Sequence, residues 1–183
     1  MGSIEVILGS MYAEKSTELI KRVRRHNIAG KRCMVFKHCL DCERDNKSDI
    51  ITHDKYSCEA IAIESIDDIY KHIANKYIDV IAIDEAQFFV KDIVSFSRVM
   101  SQKFNRKVIL AGLDMDYNGD PFGFMGELCC IADTVTKLHA VCVRCGRDAK
   151  YSYRKSRDKD IVSVGAADKY EALCEKCFLE RRK

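Results

Sequence analysis

A glycine-led loop separates an apolar run from a helical pattern near the beginning of the chain. Residues 3 to 8 (SIEVIL) are apolar and β-rich, and the run ends at Gly9. After the loop, apolar residues recur at helical spacing (Leu19, Ile20, Val23 and Ile28) until Gly30 ends the pattern. A strand, a glycine-led loop and a helix in this order form the structural context of a phosphate-binding loop.

The loop sequence, LGSMYAEKST, meets the pattern G-x-x-x-x-G-K-[ST] at Gly9, Lys15 and Ser16. Backbone N–H groups at a helix N-terminus favour phosphate, so we expect Lys15 to reach the outer phosphates and Ser16 to bind Mg²⁺. Glu14 stands where the pattern has its second glycine. On these residues alone, a strand–helix turn with an incidental Lys-Ser pair is an equal alternative. The predicted nucleotide-binding residues of the loop are Gly9, Ser10, Met11, Tyr12, Ala13, Glu14, Lys15, Ser16 and Thr17.

Strand-like and helical segments continue to alternate along the chain. A strand-like run (33–36) precedes a polar stretch from His38 to Lys55, which has no periodicity and predicts a mobile loop. Residues 61–74 contain a strand, a Ser65 cap and a helix, and residues 77–89 form an apolar strand that runs into acids. A helix over about 91–103 and a buried strand over 107–113 follow. This order predicts an α/β fold, a parallel sheet with helices on both faces and right-handed crossovers.

Two acids, Asp84 and Glu85, end the fourth apparent strand in the sequence IDEAQ. In phosphate-loop proteins an acid at this place assists Mg²⁺, and a neighbouring glutamate can act as general base on a substrate hydroxyl. An acidic strand end that faces solvent is the alternative, but the phosphate loop upstream favours chemistry. A third motif, GLDMDYNGDPFG (112–123), combines turn residues with Leu113, Tyr117 and Phe122 and suits a planar ligand. Aromatic side chains packing a surface loop on the core explain that motif equally well.

Ten cysteines in a chain with no recognisable export signal favour a reducing compartment, and we expect a cytoplasmic protein without membrane contact. Its net charge of +3 does not by itself indicate a nucleic-acid partner. The composition changes near residue 139, which predicts an α/β domain over 1–139 and a smaller lobe over 140–183. In that lobe two CxxC pairs predict a structural tetrathiolate Zn²⁺ site: Cys142, Cys145, Cys174 and Cys177.

The zinc prediction has alternatives among the cysteines. Between the two pairs lie 28 residues, more than the usual gap of roughly 15–20, so an extra loop is inserted. The alternative without a metal is four separate buried thiols, which the paired spacing disfavours. A weaker candidate combines Cys39, Cys42 and His38 but has no second half-site. Cys129 and Cys130 are predicted core residues.

Taken together, these segments resemble the type II thymidine kinases of the cytosolic, poxviral and bacterial type, over almost the whole chain. The matching stretches are IEVILGSMY, KSTELI, RRVRR, THDKYSCEA, IDEAQFF, GLDMDYNGDPFG, KLHAVCVRCG and VGAADKYEALCEKC. The resemblance implies a RecA-like P-loop fold and a small zinc lobe. It also implies transfer of the ATP γ-phosphoryl group to the 5′-hydroxyl of thymidine, a homotetramer and compatibility with feedback inhibition by dTTP.

The resemblance also implies roles for individual residues. Glu85 is then the general base and Lys15 binds phosphates, while Ser16 and Asp84 serve Mg²⁺ directly or through water. Gln87 and Arg44 are candidate ATP-binding residues. Arg44 belongs to Asp41-Cys42-Glu43-Arg44, where the family has a D-x-R-Y signature; one residue is extra here and the tyrosine is missing.

For the nucleoside, the resemblance implies a loop over roughly 160–174. The backbone of this loop would read the base edge at Ile161, Val162, Ser163, Val164 and Gly165, and Tyr170 would close over the base. The apolar pocket would comprise Met11, Leu113, Tyr117 and Phe122. A base edge read in this way discriminates strongly against ligands that lack the matching groups.

Glu14 is the second departure from the family pattern. A left-handed conformation costs an L-residue roughly 1–2 kcal/mol, and a carboxylate about 5 Å from one phosphate charge adds about 3 kcal/mol of repulsion at an effective dielectric constant near 20. At about 1.4 kcal/mol per tenfold, ATP affinity falls on the order of a hundredfold or more. Two arrangements stay open: Glu14 pairs with Lys15, or its carboxylate turns to solvent and spares most of the loss.

The sequence also leaves open two functions other than an active or weakened thymidine kinase. One is a catalytically silent relative that keeps the fold, the zinc and the nucleoside pocket. The other is a zinc-bearing phosphate-loop protein that acts on nucleic acid, which requires a basic stripe with stacking aromatics. The basic residues of the first helix are more typical of solvated surface: Lys21, Arg22, Arg24 and Arg25.

Overall fold

The structure is a computed structural model, and it describes residues 1–40, 50–51, 57–156 and 169–181. Its strands are β1 (Ser3–Gly9), β2 (Cys33–His38), β3 (Ile50–Ile51), β4 (Ser57–Cys58), β5 (Ile61–Ile63), β6 (Val80–Asp84), β7 (Lys107–Gly112), β8 (Thr134–Leu138), β9 (Ala140–Val141), β10 (Asp148–Ala149), β11 (Tyr151–Arg154) and β12 (Tyr170–Leu173). Its α-helices are α1 (Lys15–Ile28), α2 (Ile66–Ile73), α3 (Asp92–Arg98), α4 (Met125–Ile131) and α5 (Glu175–Arg181). A 3₁₀ turn covers Ala86–Phe88 and a π-helix covers Val99–Lys103.

Six strands form a parallel sheet in the order β5-β2-β6-β7-β1-β8. Every pairing within it is parallel, including those of β1 with β7 on one side and with β8 on the other. The carboxyl ends of all six strands therefore lie along one edge. The predicted α/β class with a parallel sheet is confirmed.

Both faces of this sheet are covered by helices, as predicted. Leu19, Ile20 and Val23 of α1 pack on one face, together with Ile7 of β1. On the opposite face, α2, α3 and α4 contribute Ile69, Phe96, Leu128 and others to a larger cluster. From Val6 onward every residue of β1 is buried, as expected for an interior parallel strand, whereas its first half alternates half-buried Ser3 and Glu5 with buried Ile4 and Val6.

Local sequence features explain where several helices begin and end. The Ser65 backbone N–H donates to Asp68 at the beginning of α2, which forms a capping box. After the C-terminus of α1, Gly30 has a φ of +73°, the left-handed conformation that often follows a helix. Ile28, at the helix terminus, is exposed rather than in the core.

Three details differ from the sequence-based expectations. The predicted loop from His38 to Lys55 contains ordered strand at both ends: His38 is the buried last residue of β2, and Ile50–Ile51 pairs with Ser57–Cys58 in an antiparallel ladder. The helix expected over 91–103 changes to a π-helix at Val99. Cys130 is exposed, so its prediction as a core residue is wrong, because the last turn of α4 directs it outward, while Cys129 is half-buried.

The part of the chain after Leu138 forms short antiparallel pairs and α5. Its apolar cluster includes Ala140, Leu173 and Phe178, and Ala13 of the glycine-led loop belongs to the same cluster. The division of the chain near residue 139 stays a prediction. None of the described helices has the length and apolar character needed to cross a membrane.

Candidate active site

The glycine-led loop lies at the carboxyl end of β1, held close to the neighbouring strand. Gly9 has a φ of +154°, and a Cβ atom there would lie 2.3 Å from the Leu138 carbonyl oxygen of β8. No other residue fits at that distance. A tight turn out of the strand, with no room for a side chain, thus explains why the loop begins with glycine.

Glu14 adopts the left-handed conformation that its place in the pattern predicted. Its φ is 57° and its ψ is 31°, and it directly precedes α1. The side chain is exposed and forms no ion pair within the described part of the chain. Of the two arrangements left open by the sequence, the structure has the carboxylate turned to solvent.

Lys15 is buried at the first position of α1, and its Nζ donates to the Ser10 carbonyl oxygen at 2.8 Å. The lysine thus curls back over the loop that it follows. Ser16 is the next residue, and its side chain lies close enough to Asp84 to lower the pKa of that carboxyl group. Because α1 packs across the sheet, this contact joins the end of β6 to a loop that leaves β1, two strands away.

The two acids after β6 have different environments. Asp84 is buried, and its pKa is raised well above the ordinary value by burial first and by the charge of Glu85 second. The Ser16 side chain, the Glu85 backbone N–H and the charge of Lys15 act in the opposite direction. A buried carboxylate with a raised pKa is chemically suited to a cation, which would stabilise its ionised form.

Glu85 is half-buried and lies in a strained backbone conformation, with a φ of 55° and a ψ of 41°. Left-handed non-glycine residues are uncommon and cluster at functional sites. The Glu85 carboxylate accepts a short hydrogen bond from Nε2 of Gln87, which is buried beneath it.

An aromatic group borders the same edge of the sheet. The guanidinium of Arg154 lies 3.9 Å from the Tyr117 ring centre and donates to the Tyr170 hydroxyl from Nε (3.0 Å) and Nη2 (2.8 Å). Phe122 meets Phe88 edge-to-face, with ring centres 5.8 Å apart. Tyr117 and Tyr170, predicted from separate motifs, are therefore brought together by a buried arginine.

Two polar residues of β11 escaped the sequence analysis. Ser152 accepts a hydrogen bond from the Met11 backbone N–H at 2.9 Å, and Arg154 is 5% exposed. Neither belongs to a recognisable motif, and Met11 and Ser152 are 141 residues apart in sequence. The only available indication was the alternation of YSYR, which would place both side chains on one face of a strand.

Several predicted residues lie outside the described part of the chain. They are Arg44, with the rest of its Asp41–Arg44 segment, and the proposed base-reading residues Ile161, Val162, Ser163, Val164 and Gly165. Their roles stay predictions. Cys42 also lies outside it, while Cys39 Sγ is 3.9 Å from Nδ1 of His38.

The four cysteines of the two CxxC pairs converge. The Sγ atoms of Cys142, Cys145, Cys174 and Cys177 all lie within 4.8 Å of one another. A tetrahedral Zn²⁺ with Zn–S bonds of about 2.3 Å requires S–S separations of about 3.8 Å, which this arrangement fits closely. Cys145 Sγ and Cys174 Sγ are 3.5 Å apart.

Arg147 supports this sulfur cluster from outside. Its Nε is 3.4 Å from Cys145 Sγ and its Nη2 is 3.4 Å from Cys174 Sγ. Hydrogen bonding from Arg147 lowers the pKa of Cys145 to about 6, whereas burial and the neighbouring thiols raise the pKa of Cys177 to about 12. Thiolates bind metal, so the cluster could hold an ion that ionises its remaining thiols.

The fold and the site have the arrangement typical of phosphate-loop α/β proteins: a parallel sheet, a lysine- and serine-bearing loop at the end of one strand and acids at the end of another. The family model for thymidine kinase matches residues 2–178. This chain belongs to the thymidine kinase family.

Curated relatives agree over nearly the full length. A thymidine kinase of Bacteroides thetaiotaomicron is 42% identical over 181 residues, which cover 99% of this chain and 89% of the relative. Thymidine kinases from two strains of Porphyromonas gingivalis are 42% identical over 177 residues, which cover 97% of this chain and 85% of each relative. The alternative of a catalytically silent relative has no support from these comparisons.

Proposed function

We propose that this protein is a thymidine kinase that transfers the γ-phosphoryl group of ATP to the 5′-hydroxyl of thymidine. The observation that carries the proposal is that Ser16 and Lys15 both lie close enough to Asp84 to lower its pKa, so the lysine-bearing loop is beside the acids at the carboxyl edge of the sheet. Ligands of open parallel sheets bind at that edge. Membership of the family supplies the reaction and the two substrates.

On the phosphate side, Lys15 is the group that would bind the outer phosphates of ATP. It leaves the Ser10 carbonyl oxygen, 2.8 Å away, when a phosphate oxygen offers a charged acceptor. Ser16 and Asp84 would hold Mg²⁺, which supplies neutralisation of phosphate charge when bound. The N–H groups of Met11 and Ala13 already donate within the protein, to Ser152 and Ser10. Other N–H groups of the loop and of the first turn of α1 would contact the remaining phosphate oxygens.

On the hydroxyl side, Glu85 would take the proton of the thymidine 5′-hydroxyl. Glu85 is half-buried, so part of the residue is open to substrate, and its backbone is left-handed. Phosphoryl transfer demands little covalent chemistry from the protein, so the placement of this base and the neutralisation of charge carry most of the effect.

For the nucleoside, Met11, Leu113, Tyr117, Phe122 and Tyr170 would form the pocket. The edge-to-face rings and the Arg154 bridge support a preformed aromatic wall. Base-edge reading by the backbone of residues 161–165 is part of the same proposal and rests on the resemblance of the VGAADKY sequence to the family.

The sulfur cluster would hold one structural Zn²⁺ per chain. Its spacing fits tetrahedral coordination, and Arg147 offers hydrogen bonds to two of the four sulfurs. A cytoplasmic location, a homotetramer, feedback inhibition by dTTP and the division into domains 1–139 and 140–183 complete the proposal. These four points rest on family resemblance and composition.

A steady-state assay of the phosphorylation of thymidine, deoxyuridine and deoxycytidine by ATP tests the kinase activity and the nucleoside preference together. We expect thymidine to be phosphorylated and deoxycytidine to be refused, because its exocyclic amine reverses the hydrogen-bonding pattern of the base edge. The assay is run on the natural chain and on Glu14→Gly. Absence of thymidine phosphorylation in both proteins would overturn the proposed function.

A further inference from the structure

Gln87 lies beneath the candidate base and connects the ends of two neighbouring strands. It is 3% exposed and belongs to the 3₁₀ turn that follows β6. Its Nε2 donates to Oε2 of Glu85, and its Oε1 accepts from the Leu113 backbone N–H at 2.9 Å. The amide orientation is fixed by chemistry, because a carboxylate only accepts and a backbone N–H only donates.

Two glycines lie directly against Gln87, one against its side chain and one against its backbone. A Cβ atom on Gly112 would lie 2.7 Å from the side-chain oxygen Oε1 of Gln87. A Cβ atom on Gly123 would lie 2.3 Å from the backbone carbonyl oxygen of Gln87. Two glycines at opposite ends of the 112–123 motif thus make room for one glutamine. A side chain confined so closely can hold a neighbour in place, since packed interiors do not deform continuously.

Glu85 needs such support. Its left-handed backbone is strained, and its side chain is only half-buried, so neither backbone preference nor packing fixes the carboxylate. Among the described residues, the hydrogen bond from Gln87 is the one side-chain contact recorded for the Glu85 carboxylate.

We propose that Gln87 is a positioning residue that holds the Glu85 carboxylate and ties it to Leu113 at the end of β7. This assignment rests on the proposed function, in which Glu85 is the general base. The direct role of Gln87 in nucleotide binding stays a prediction, beside the hydrogen bonds that each end of its amide forms inside the protein. The Gln87 amide then fixes the position of the Glu85 carboxylate and, through the Leu113 backbone, the position of one residue of the nucleoside pocket.

The first test is Gln87→Met, which conserves volume and removes both hydrogen bonds. We expect kcat at saturating ATP and thymidine to fall roughly 10- to 100-fold, the usual effect of a charge-assisted hydrogen bond, while KM for ATP changes less than about threefold. Ser97→Ala is the matched control, because Ser97 is fully buried and hydrogen-bonded on α3, away from the site. It should leave kcat unchanged.

A second variant separates the two bonds. Gln87→Glu keeps an acceptor for the Leu113 N–H but replaces the donor toward Glu85 by a carboxylate oxygen. We expect the loss of kcat to match that of Gln87→Met or exceed it. A wild-type kcat in a folded Gln87→Glu protein would overturn the proposal.

A double-mutant cycle distinguishes positioning from general stability. In a Glu85→Asp protein the shorter carboxylate is beyond the reach of Gln87, so adding Gln87→Met should cost less than about threefold more. Equal losses in the two backgrounds would show a purely structural role and overturn the proposal. Wild-type turnover of thymidine, measured alongside, reports on the proposed function separately.

Discussion

The guanidinium of Arg154 lies 3.9 Å above the Tyr117 ring and donates two hydrogen bonds to the Tyr170 hydroxyl. This buried cation joins the aromatic loop after β7 to the strand that carries Tyr170. Cation–π contacts gain strength when they are desolvated, and so do hydrogen bonds from a charged donor. The two tyrosines are therefore linked through one buried residue.

Replacement of Arg154 should damage nucleoside binding in particular. Arg154→Met removes the charge and both hydrogen bonds, so we expect KM for thymidine to rise roughly tenfold or more, while KM for ATP stays within about twofold. Steady-state kinetics with each substrate varied in turn measures the difference. Arg24→Met, at an exposed position of α1, is the control and should change neither value. An equal rise in both KM values would contradict a local role.

Glu14 combines a backbone effect and a charge effect, which two substitutions can separate. Glu14→Gly relieves the left-handed strain, worth roughly 1–2 kcal/mol, against about 0.5–1 kcal/mol for the extra freedom of glycine when unfolded. Glu14→Gln keeps the strain and removes the charge. We expect both to lower KM for ATP, the glycine variant more, and only the glycine variant to gain stability.

Thermal unfolding and ATP-dependent kinetics measure these two effects. Asn75→Gly is the matched control, since Asn75 also has a positive φ of 60° but follows α2, away from the loop. It should leave ATP dependence unchanged. Equal ATP dependence of Glu14→Gly and the natural chain would refute any influence of Glu14 on the phosphate site. Because the Glu14 carboxylate is solvent-exposed, its repulsion of ATP should be weaker than the about 3 kcal/mol reckoned at a dielectric constant near 20.

Glu85→Gln should abolish turnover and leave thymidine binding largely intact. A positioned general base contributes roughly 10²- to 10⁴-fold to the rate, and the isosteric amide cannot take a proton. Calorimetry measures thymidine binding and a coupled assay measures turnover. Glu127→Gln, at an exposed site on α4, is the control. Turnover retained in Glu85→Gln would remove Glu85 as the base.

Metal analysis of the purified protein should find about one zinc per chain. Cys174→Ser should lose the metal and unfold at a lower temperature, because structural zinc contributes directly to folding free energy. Cys130→Ser, an exposed thiol outside the cluster, should retain the full amount. Absence of zinc from the natural chain would refute the tetrathiolate site.

Sequence reasoning succeeded where a feature depends on near neighbours. The strand–loop–helix order around Lys15, the acids after β6 and the CxxC pairs are local patterns, and each recurs in the structure at its predicted place. The left-handed conformation of Glu14 also follows from its place in the loop pattern alone.

It failed where residues meet through the fold. The position of β1 between β7 and β8 depends on crossovers that no local pattern specifies. Arg154 and Ser152 gain their roles from residues far away in sequence, so their side chains looked like ordinary strand residues. Gln87 was recognised as part of a motif, but its bond to the Leu113 backbone required the pairing of β6 with β7.

That pairing has a consequence for how the site can diversify. Because β7 lies between β6 and β1, the acids and the lysine-bearing loop begin two strand spacings apart, about 9.5 Å. Backbone hydrogen bonds fix this width, so exchanging side chains along the edge can change which molecule is held there without altering the span. The spacing of the strands therefore fixes the separation between the lysine-bearing loop and the acids. Substitutions along the edge can change substrate preference while the distance over which the phosphoryl group is transferred stays the same.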